Sequence, residues 1–341
     1  LLFVCKYLNW CISIINNVLD LQLSQTGISL PIGISFYTFQ ALSYVIDVWR
    51  NDVRAQKNIV NVGLYISLFP QLIAGPIVRY EDIEKQIMDR TLSVSEISSG
   101  IERFIAGISK KVLLADSMAV IADKAFSVNS GGGVLFAWAG AVAYALQIYY
   151  DFSGYSDMAI GLGKMLGFTF KENFNYPYLA DSITDFWRRW HISLSSWFRD
   201  YIYIPLGGNR KGRVRTFFNL GIVWLTTGIW HGANFTFLFW GCAYGILIMI
   251  EKLFQIPQKL KNNRVFALPY GIFTILVILL CWVVFRAENI SAATHYIETM
   301  LGLHHLGNNT ALAALYIKEY RWELLWGLLL SFPIVPYLKE R

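Results

Sequence analysis

Long stretches of this chain carry no charge at all. Leu21–Ile46, Asn58–Val78, Ala125–Tyr150 and Phe266–Phe285 each lack Asp, Glu, Lys and Arg, and a fifth run extends from Thr216 to Ile250. Each is at least as long as the roughly 20 apolar residues that cross a bilayer as a helix. The runs are continuously apolar rather than alternating, which argues for helices and against a β-barrel. The pattern predicts an all-α, polytopic membrane protein in one domain, 1–341. Its ten spans fall at roughly 1–19, 28–48, 58–78, 99–122, 133–150, 155–169, 216–232, 234–250, 266–285 and 321–338. No internal repeat or low-complexity linker divides the chain.

Composition agrees with that class. The 341 residues are 55% hydrophobic and 15% charged, where a soluble domain carries about a quarter charged residues. Mean hydropathy is +0.43. The chain opens at Leu1 inside an apolar run, so we expect its natural N-terminus to lie upstream, and no signal peptide can be judged. Cys5, Cys11, Cys242 and Cys281 all lie in apolar segments, with no CxxC pair and no metal-ligand spacing. They read as inert, buried thiols.

Net charge is +6, and it is concentrated. Arg188, Arg189, Arg199, Arg210, Lys211, Arg213 and Arg215 stand against Asp200 alone, so 188–215 carries 7 − 1 = +6. Basic clusters beside membrane spans favour the cytoplasmic face. They also attract anionic lipid headgroups or a negatively charged cofactor. No nucleic-acid-binding motif accompanies the charge, so nucleic acid is not an expected partner.

Segment 172–215 departs from the apolar pattern, with "NFNYPYL" and "PLGGNRKG" rich in turn residues. Irregular backbone at membrane depth survives only where protein or a water-filled cavity covers it. Short interfacial or re-entrant helices around a cavity are therefore expected. "QLIAGPIVRY" sets Gly75-Pro76 inside an apolar run, predicting a break or kink. "YYDFSGYSDMAIGLG" sets Asp151, Ser153, Ser156 and Asp157 between apolar flanks. Such ionisable groups are rare in membrane segments and face a bundle interior or a pathway. The two aspartates are read either as structural, bonded to backbone ends or to an arginine of the basic segment, or as contacts to substrate.

Two histidines raise the sharpest question. His231 sits near the centre of the Thr216–Ile250 run, and His191 lies 40 residues earlier; each follows a tryptophan, Trp230 and Trp190. On a continuous helix, Trp187, Trp190 and His191 would share one face. Arg188 and Arg189 would point elsewhere, with Asp185 placed to pair with one of them; a guanidinium fork also suits a phosphate or carboxylate. Transfer of an acyl group to a hydroxyl needs a base near neutral pH, and imidazole serves. Asn234 could bond the other ring nitrogen of His231 or a developing oxyanion. Gly228 and Gly232 flank His231 and open space at the backbone. The bland alternative is a packed histidine bonded to a backbone carbonyl, and it stands for both. His295, His304 and His305 fall in a loop between the last two spans, outside any apolar run, and read as interfacial. No metal-ligand spacing, G-x-S-x-G elbow or Walker loop is present.

Six blocks carry a resemblance: "PIGISFYTFQALSYVIDVWR" (31–50), "QLIAGPIVRY" (71–80), "IYYDFSGYSDMAIGLGKMLGF" (148–168), "DFWRRWHISLSSWFRDYIYIPLGGNRKG" (185–212), "WHGANFTFLFWG" (230–241) and "CWVVFRAENISAA" (281–293). In this order they resemble the membrane-bound O-acyltransferase family, and within it the bacterial branch that acetylates alginate. The resemblance implies many helices around a central catalytic tunnel, with His231 and His191 matching the family's histidines. It implies acetyl-CoA or another acyl thioester as donor substrate, no tightly bound cofactor, and a polysaccharide acceptor beyond a bacterial inner membrane crossed many times. It also implies an extracytoplasmic acetyltransferase partner. Family members begin with further membrane helices before "PIGISF", and we expect this chain to lack most of them and to stop short at its C-terminus.

Two other classes of function remain open on the residues alone. A transporter or acyl-group conduit would use Asp151, Asp157 and the histidines as a pathway, with the break at Gly75-Pro76 lining it. A membrane scaffold for an extracytoplasmic partner would leave both histidines merely packed.

Overall fold

The structure, a computed structural model, describes residues 1–128, 132–303 and 310–334. Among the described residues every regular element is helical. In chain order these are α1 (Leu2–Lys6), α2 (Leu8–Leu19), α3 (Ile34–Arg50), α4 (Ile59–Ser67), α5 (Tyr80–Met88), α6 (Val94–Ser109), α7 (Asp116–Ser127) and α8 (Gly133–Met165). They continue as α9 (Ile183–Arg189), α10 (Ile192–Phe198), α11 (Gly212–His231), α12 (Phe235–Leu253), α13 (Ile256–Asn262), α14 (Arg264–Arg286), α15 (Ile290–Met300), α16 (Thr310–Glu319) and α17 (Arg321–Leu330). A π-helical stretch, Lys110–Ala115, joins α6 to α7, and another, Arg199–Tyr203, follows α10.

Among the described residues three helices are long and apolar enough to cross a membrane: α8, α12 and, within α14, Val265–Arg286. Several expected spans take another form. Those at 133–150 and 155–169 are one helix, α8, of 33 residues. Its polar stretch does not break it, because neighbouring cations meet its aspartates (below). The span at 58–78 ends early. Leu68 leaves the helical region, Phe69–Gln71 forms a 3-10 turn with Pro70 near its start, and the chain stays irregular to Arg79. The break therefore precedes Gly75-Pro76. Residues 1–19 divide at Tyr7 into α1 and α2. His295 lies inside α15 rather than in a loop, and His304 and His305 lie outside the described residues.

Glycines set the closest helix contacts. A Cβ on Gly100 would lie 2.7 Å from the Gly161 carbonyl oxygen, and one on Gly107 would lie 2.6 Å from that of Gly154. Each pair of glycines is seven residues, about two turns, apart on its own helix. The pairing runs in opposite directions, so α6 and α8 pack backbone to backbone, antiparallel. Between the two glycine contacts Asp157, buried, meets Arg103 and Lys110 at 2.6 Å each. A second close crossing joins α11 to α12: Cβ atoms on Gly228 and Gly241 would come within 2.5 Å of the Phe237 and Trp224 carbonyl oxygens. Small residues that let backbones approach are how helices associate in lipid, where the hydrophobic effect gives no net drive.

The irregular segment is held from outside. Glu251 of α12 is buried, and its carboxylate accepts from the backbone N–H groups of Ile183 and Thr184 (2.7 and 2.8 Å), the Thr184 hydroxyl (2.5 Å) and the Tyr270 hydroxyl (3.1 Å). The first N–H groups of a helix lack intrahelical partners, and a carboxylate there satisfies them and favours the helix dipole. Together with the N-cap Ser182, whose Oγ accepts from the Asp185 N–H at 3.2 Å, this side chain fixes where α9 starts, and with it the approach to His191. On the opposite flank Asp200 meets Arg79 and Arg199 at 2.6 Å each. Burial opposes its ionisation, but the two guanidinium groups outweigh that and hold its carboxyl below the usual carboxylate range.

Candidate active site

The chain from α9 to α10 turns sharply. Helix α9 stops because Trp190 is extended, and His191 takes a left-handed conformation, φ 45° and ψ 54°. For a non-glycine residue that conformation costs about 1–2 kcal/mol. Trp187 and His191 consequently do not share a helix face, as continuous helical spacing would require. Trp187 instead packs 4.9 Å from Trp224 and 5.0 Å from Tyr244, ring centre to ring centre. His191 turns to Phe152 (4.6 Å), Trp230 (6.1 Å) and Phe36 (6.2 Å).

The segment around residue 173 supports this turn. Asn175 N–H donates to the Arg189 carbonyl (2.9 Å), and Ile192 N–H donates to that of Asn173 (3.0 Å). The Asn173 side chain is fully buried, and its Oδ1 accepts from the Ser193 N–H (3.2 Å) and hydroxyl (2.9 Å). A backbone N–H can only donate, so the amide orientation is settled: oxygen faces Ser193 and nitrogen donates to Ser156 Oγ at 3.1 Å. His191 Nδ1 lies 3.2 Å from the same Oδ1. The Ser193 hydroxyl, 3.5 Å from Nδ1, donates to Asn173 at 2.9 Å, so the tautomer that fits this arrangement carries its proton on Nδ1, facing the amide oxygen, and leaves Nε2 as the ring's basic nitrogen. Asn173→Ala should therefore free the His191 ring and lower turnover roughly 10- to 100-fold, the cost of misplacing a reacting group by about 1 Å. Turnover in vesicles measures this, and a rate within threefold of wild type would dismiss the orienting role.

His231 closes α11 and lies 5.0 Å from Trp230, 4.9 Å from Trp240 and 5.1 Å from Phe285, ring to ring. Among the described residues no side-chain hydrogen bond reaches its ring. The end of α11 is itself held by the start of the chain. The Tyr7 hydroxyl donates to the Ile229 carbonyl (2.9 Å), and the Lys6 ammonium donates to the Trp230 carbonyl. These are among the last carbonyls of a helix, which have no partner within it.

Both histidines line one cavity of about 240 Å³, together with Lys6, Ser35, Phe36, Phe152, Trp190, Trp230, Trp240, Trp282 and Phe285. Drug-sized ligands occupy about 300–1,000 Å³, so this space suits a small group. A larger cavity of about 1160 Å³ lies on the other side of His191, bordered by Asn173, Ile192, Ser153, Asp157, Arg103 and Lys110 among others. Helix α8 divides the two: Ile148 and Phe152 face the small cavity, and Tyr149, Ser153 and Ser156 the large one.

The other residues singled out from the sequence sort cleanly. Trp190 and Trp230 join the histidines. Asp157 borders the large cavity, but its cations come from Arg103 and Lys110, not from the basic segment. Asp151 is half exposed and paired with Lys111 at 2.8 Å. Asp185 pairs with Arg189 at 2.7 Å, while Arg188 is exposed. Asn234 does not reach His231. Its Oδ1 caps α12 by accepting from Thr236 N–H (3.1 Å), and its Nδ2 donates to the Glu288 carbonyl (2.8 Å). Gly228 and Gly232 do not open space for the ring: Gly228 seats the α12 backbone, and a Cβ on Gly232 would lie 2.3 Å from the Phe237 ring. Lys6 and Asn173 were not among the expected residues. Lys6 is the lone charge between Leu1 and Leu19, the same kind of signal that His231 gives; the role of Asn173 exists only in the folded chain. Among the described residues no group of His, Cys, Asp and Glu is placed to hold a metal ion.

Residues 38–287 match the membrane-bound O-acyltransferase family. The chain is 48% identical over 279 residues to "Probable alginate O-acetylase AlgI" of Pseudomonas putida, covering 81% of this chain and 56% of that protein. To the protein of the same name in Pseudomonas aeruginosa it is 47% identical over 303 residues, covering 86% and 57%. To "Peptidoglycan O-acetyltransferase" of Helicobacter pylori it is 34% identical over 326 residues, covering 88% and 62%. The chain thus spans a little over half the length of the curated relatives it matches.

Proposed function

The chain belongs to the membrane-bound O-acyltransferase family, and from that premise we propose that it moves an acetyl or other short acyl group from a cytoplasmic thioester toward hydroxyls of an extracytoplasmic polysaccharide such as alginate. The observation that carries this reading is the convergence of His191 and His231 on one small, aromatic-walled cavity. Acetyl-CoA is the donor that suits the exposed basic stretch at 209–215, since its phosphates are anionic. In this reading the protein sits in a bacterial inner membrane. Its shorter apolar helices complete a bundle of about ten crossings around a tunnel, and an extracytoplasmic acetyltransferase receives the group or finishes its transfer.

The chemistry follows from two imidazoles that share one small cavity. A hydroxyl oxygen adds to the thioester carbonyl while His231 takes its proton. The carbonyl electron pair moves onto oxygen, giving a tetrahedral oxyanion. Collapse of that oxyanion breaks the C–S bond, and the departing thiolate takes the proton back from His231. His191, with Nδ1–H held by Asn173, keeps Nε2 free to orient the incoming hydroxyl or relay its proton. The surrounding rings exclude water that would otherwise hydrolyse the thioester.

The test uses the full-length protein in sealed membrane vesicles with acetyl-CoA labelled in its acetyl carbon. Label supplied on the cytoplasmic face should appear on a partner protein or polymer on the other face. Label that never leaves the donor, with the protein present at normal levels, would sink the acyltransferase reading.

A further inference from the structure

We propose that Lys6 is a further catalytic residue of this site, with its ammonium group binding the oxyanion formed when the hydroxyl adds to the acyl carbonyl. The proposal rests on the acyltransferase reading above and extends it to a residue from a different part of the chain.

Lys6 is the one Lys, Arg, Asp or Glu among the residues lining the histidine cavity. Its ammonium donates to Ser35 Oγ at 2.9 Å and to the Trp230 carbonyl, and stands 5.5 Å above the centre of the Trp230 ring. An ammonium has three N–H bonds, so one remains after these two. Among the described residues no carboxylate forms an ion pair with it, although ion pairs are formed by Lys110, Lys111 and Lys171. A cation enclosed by aromatic walls without a counter-charge is costly. The cost is recovered if negative charge arises beside it, and the proposed reaction creates one: the carbonyl oxygen gains an electron pair on addition and loses it when the C–S bond breaks. A preorganised donor aimed at such an oxygen acts on the transition state more than on the neutral thioester.

The same contacts explain why the ammonium is held still. Ser35 lies in the first turn of α3, and the Trp230 carbonyl belongs to the last turn of α11. Lys6 therefore ties α1 to the helix end that carries His231, and its charge stays at a fixed place in the cavity.

The experiment is vesicle assay of the full-length protein with labelled acetyl-CoA, comparing wild type, Lys6→Met, Lys6→Arg and Lys6→Cys. Lys6→Met should lower kcat about 100- to 1,000-fold, the loss expected for one oxyanion donor, with the donor KM changed less than threefold. Lys6→Arg should recover part of the rate. Alkylating Lys6→Cys with 2-bromoethylamine, which rebuilds an ammonium at nearly the same reach, should restore most of it. The rescue shows that the ammonium itself is what the variant has lost, and the loss in kcat at nearly unchanged donor KM and normal protein level separates that loss from a site opened by losing the tie to α11. Lys6→Met with kcat within threefold of wild type overturns the assignment, as does aminoethylated Lys6→Cys that stays at the level of the untreated variant. Wild-type protein that transfers no label overturns the acyltransferase reading itself, and this proposal with it. Transfer lost in His231→Ala but kept in Lys6→Met overturns the role of Lys6 alone.

Discussion

His231→Ala is expected to lower acyl transfer by about 100- to 10,000-fold, the range lost with a general base, or about 3–5.5 kcal/mol of transition-state stabilisation. The expectation rests on what the ring does and does not do in the fold. Its neighbours are the rings of Trp230, Trp240 and Phe285, and no described side-chain hydrogen bond depends on it. Truncation removes packing on one side of a cavity already open, so the protein should still accumulate in the membrane. His231→Gln, which keeps a polar side chain of similar size but no base, should be as inactive as alanine. Initial rates of label transfer, normalised to protein level by immunoblot, decide the matter. Either variant working within threefold of wild type would make His231 a packing residue and move the search to His191.

Gly161→Val should prevent stable folding. Its Cβ would lie 2.5 Å from the Gly100 carbonyl oxygen and 2.7 Å from the Phe104 nitrogen. Both are backbone atoms of α6, so no side chain can swing aside; the helices must separate. Separation would also pull Arg103 and Lys110 from buried Asp157. Overpacking a tight contact costs about 1–3 kcal/mol even where neighbours can adjust, and leaving a buried charge unpaired costs about 3–5 kcal/mol. Gly221→Ala is the control, since a Cβ there meets nothing within 4 Å and alanine favours a helix interior by about 1 kcal/mol. Protein level and melting temperature in detergent report both. A Gly161→Val protein that melts like wild type would mean that the α6–α8 contact is looser than the structure has it.

The reading from sequence succeeded where polarity stood out against an apolar background. His231 was visible for that reason, and so were the helical class and the irregular character of 172–215; His191, in the charged segment, was singled out by the Trp-His pair it shares with His231, and the structure brings the two rings to one cavity. It went astray where conformation at a single residue decided direction. Trp187 and His191 have helical spacing, but the left-handed backbone at His191 turns one away from the other. Asn234 is a different case. Asn just before an apolar run is a helix-start signal, and it caps α12 rather than serving the ring of His231. Asn173 could not be found by any local rule, because its partners, Ser156 on one side and His191 and Ser193 on the other, come from two separate places along the chain. The glycines of α6 and α8 were equally silent: spacing of seven has meaning only once the partner helix is known.

The length of α8 carries a consequence for depth. Thirty-three residues make a rod about 50 Å long, against a hydrocarbon layer of about 30 Å. Even leaning at about 40°, the steep end of what such helices adopt, the rod would reach across about 38 Å. Its uncharged part, Gly133–Tyr150, accounts for about 27 Å of that length. Standing near the normal, α8 nearly fills one oily layer before Asp151 is reached, and the remainder of α8 then emerges among headgroups and water. Asp151, Asp157 and the cations that meet them then belong to the rim of the membrane rather than to its interior. Dissolved ions can reach the exposed pair of Asp151 with Lys111 there, and it should weaken as salt is added, while buried Asp157 with Arg103 and Lys110 is screened much less.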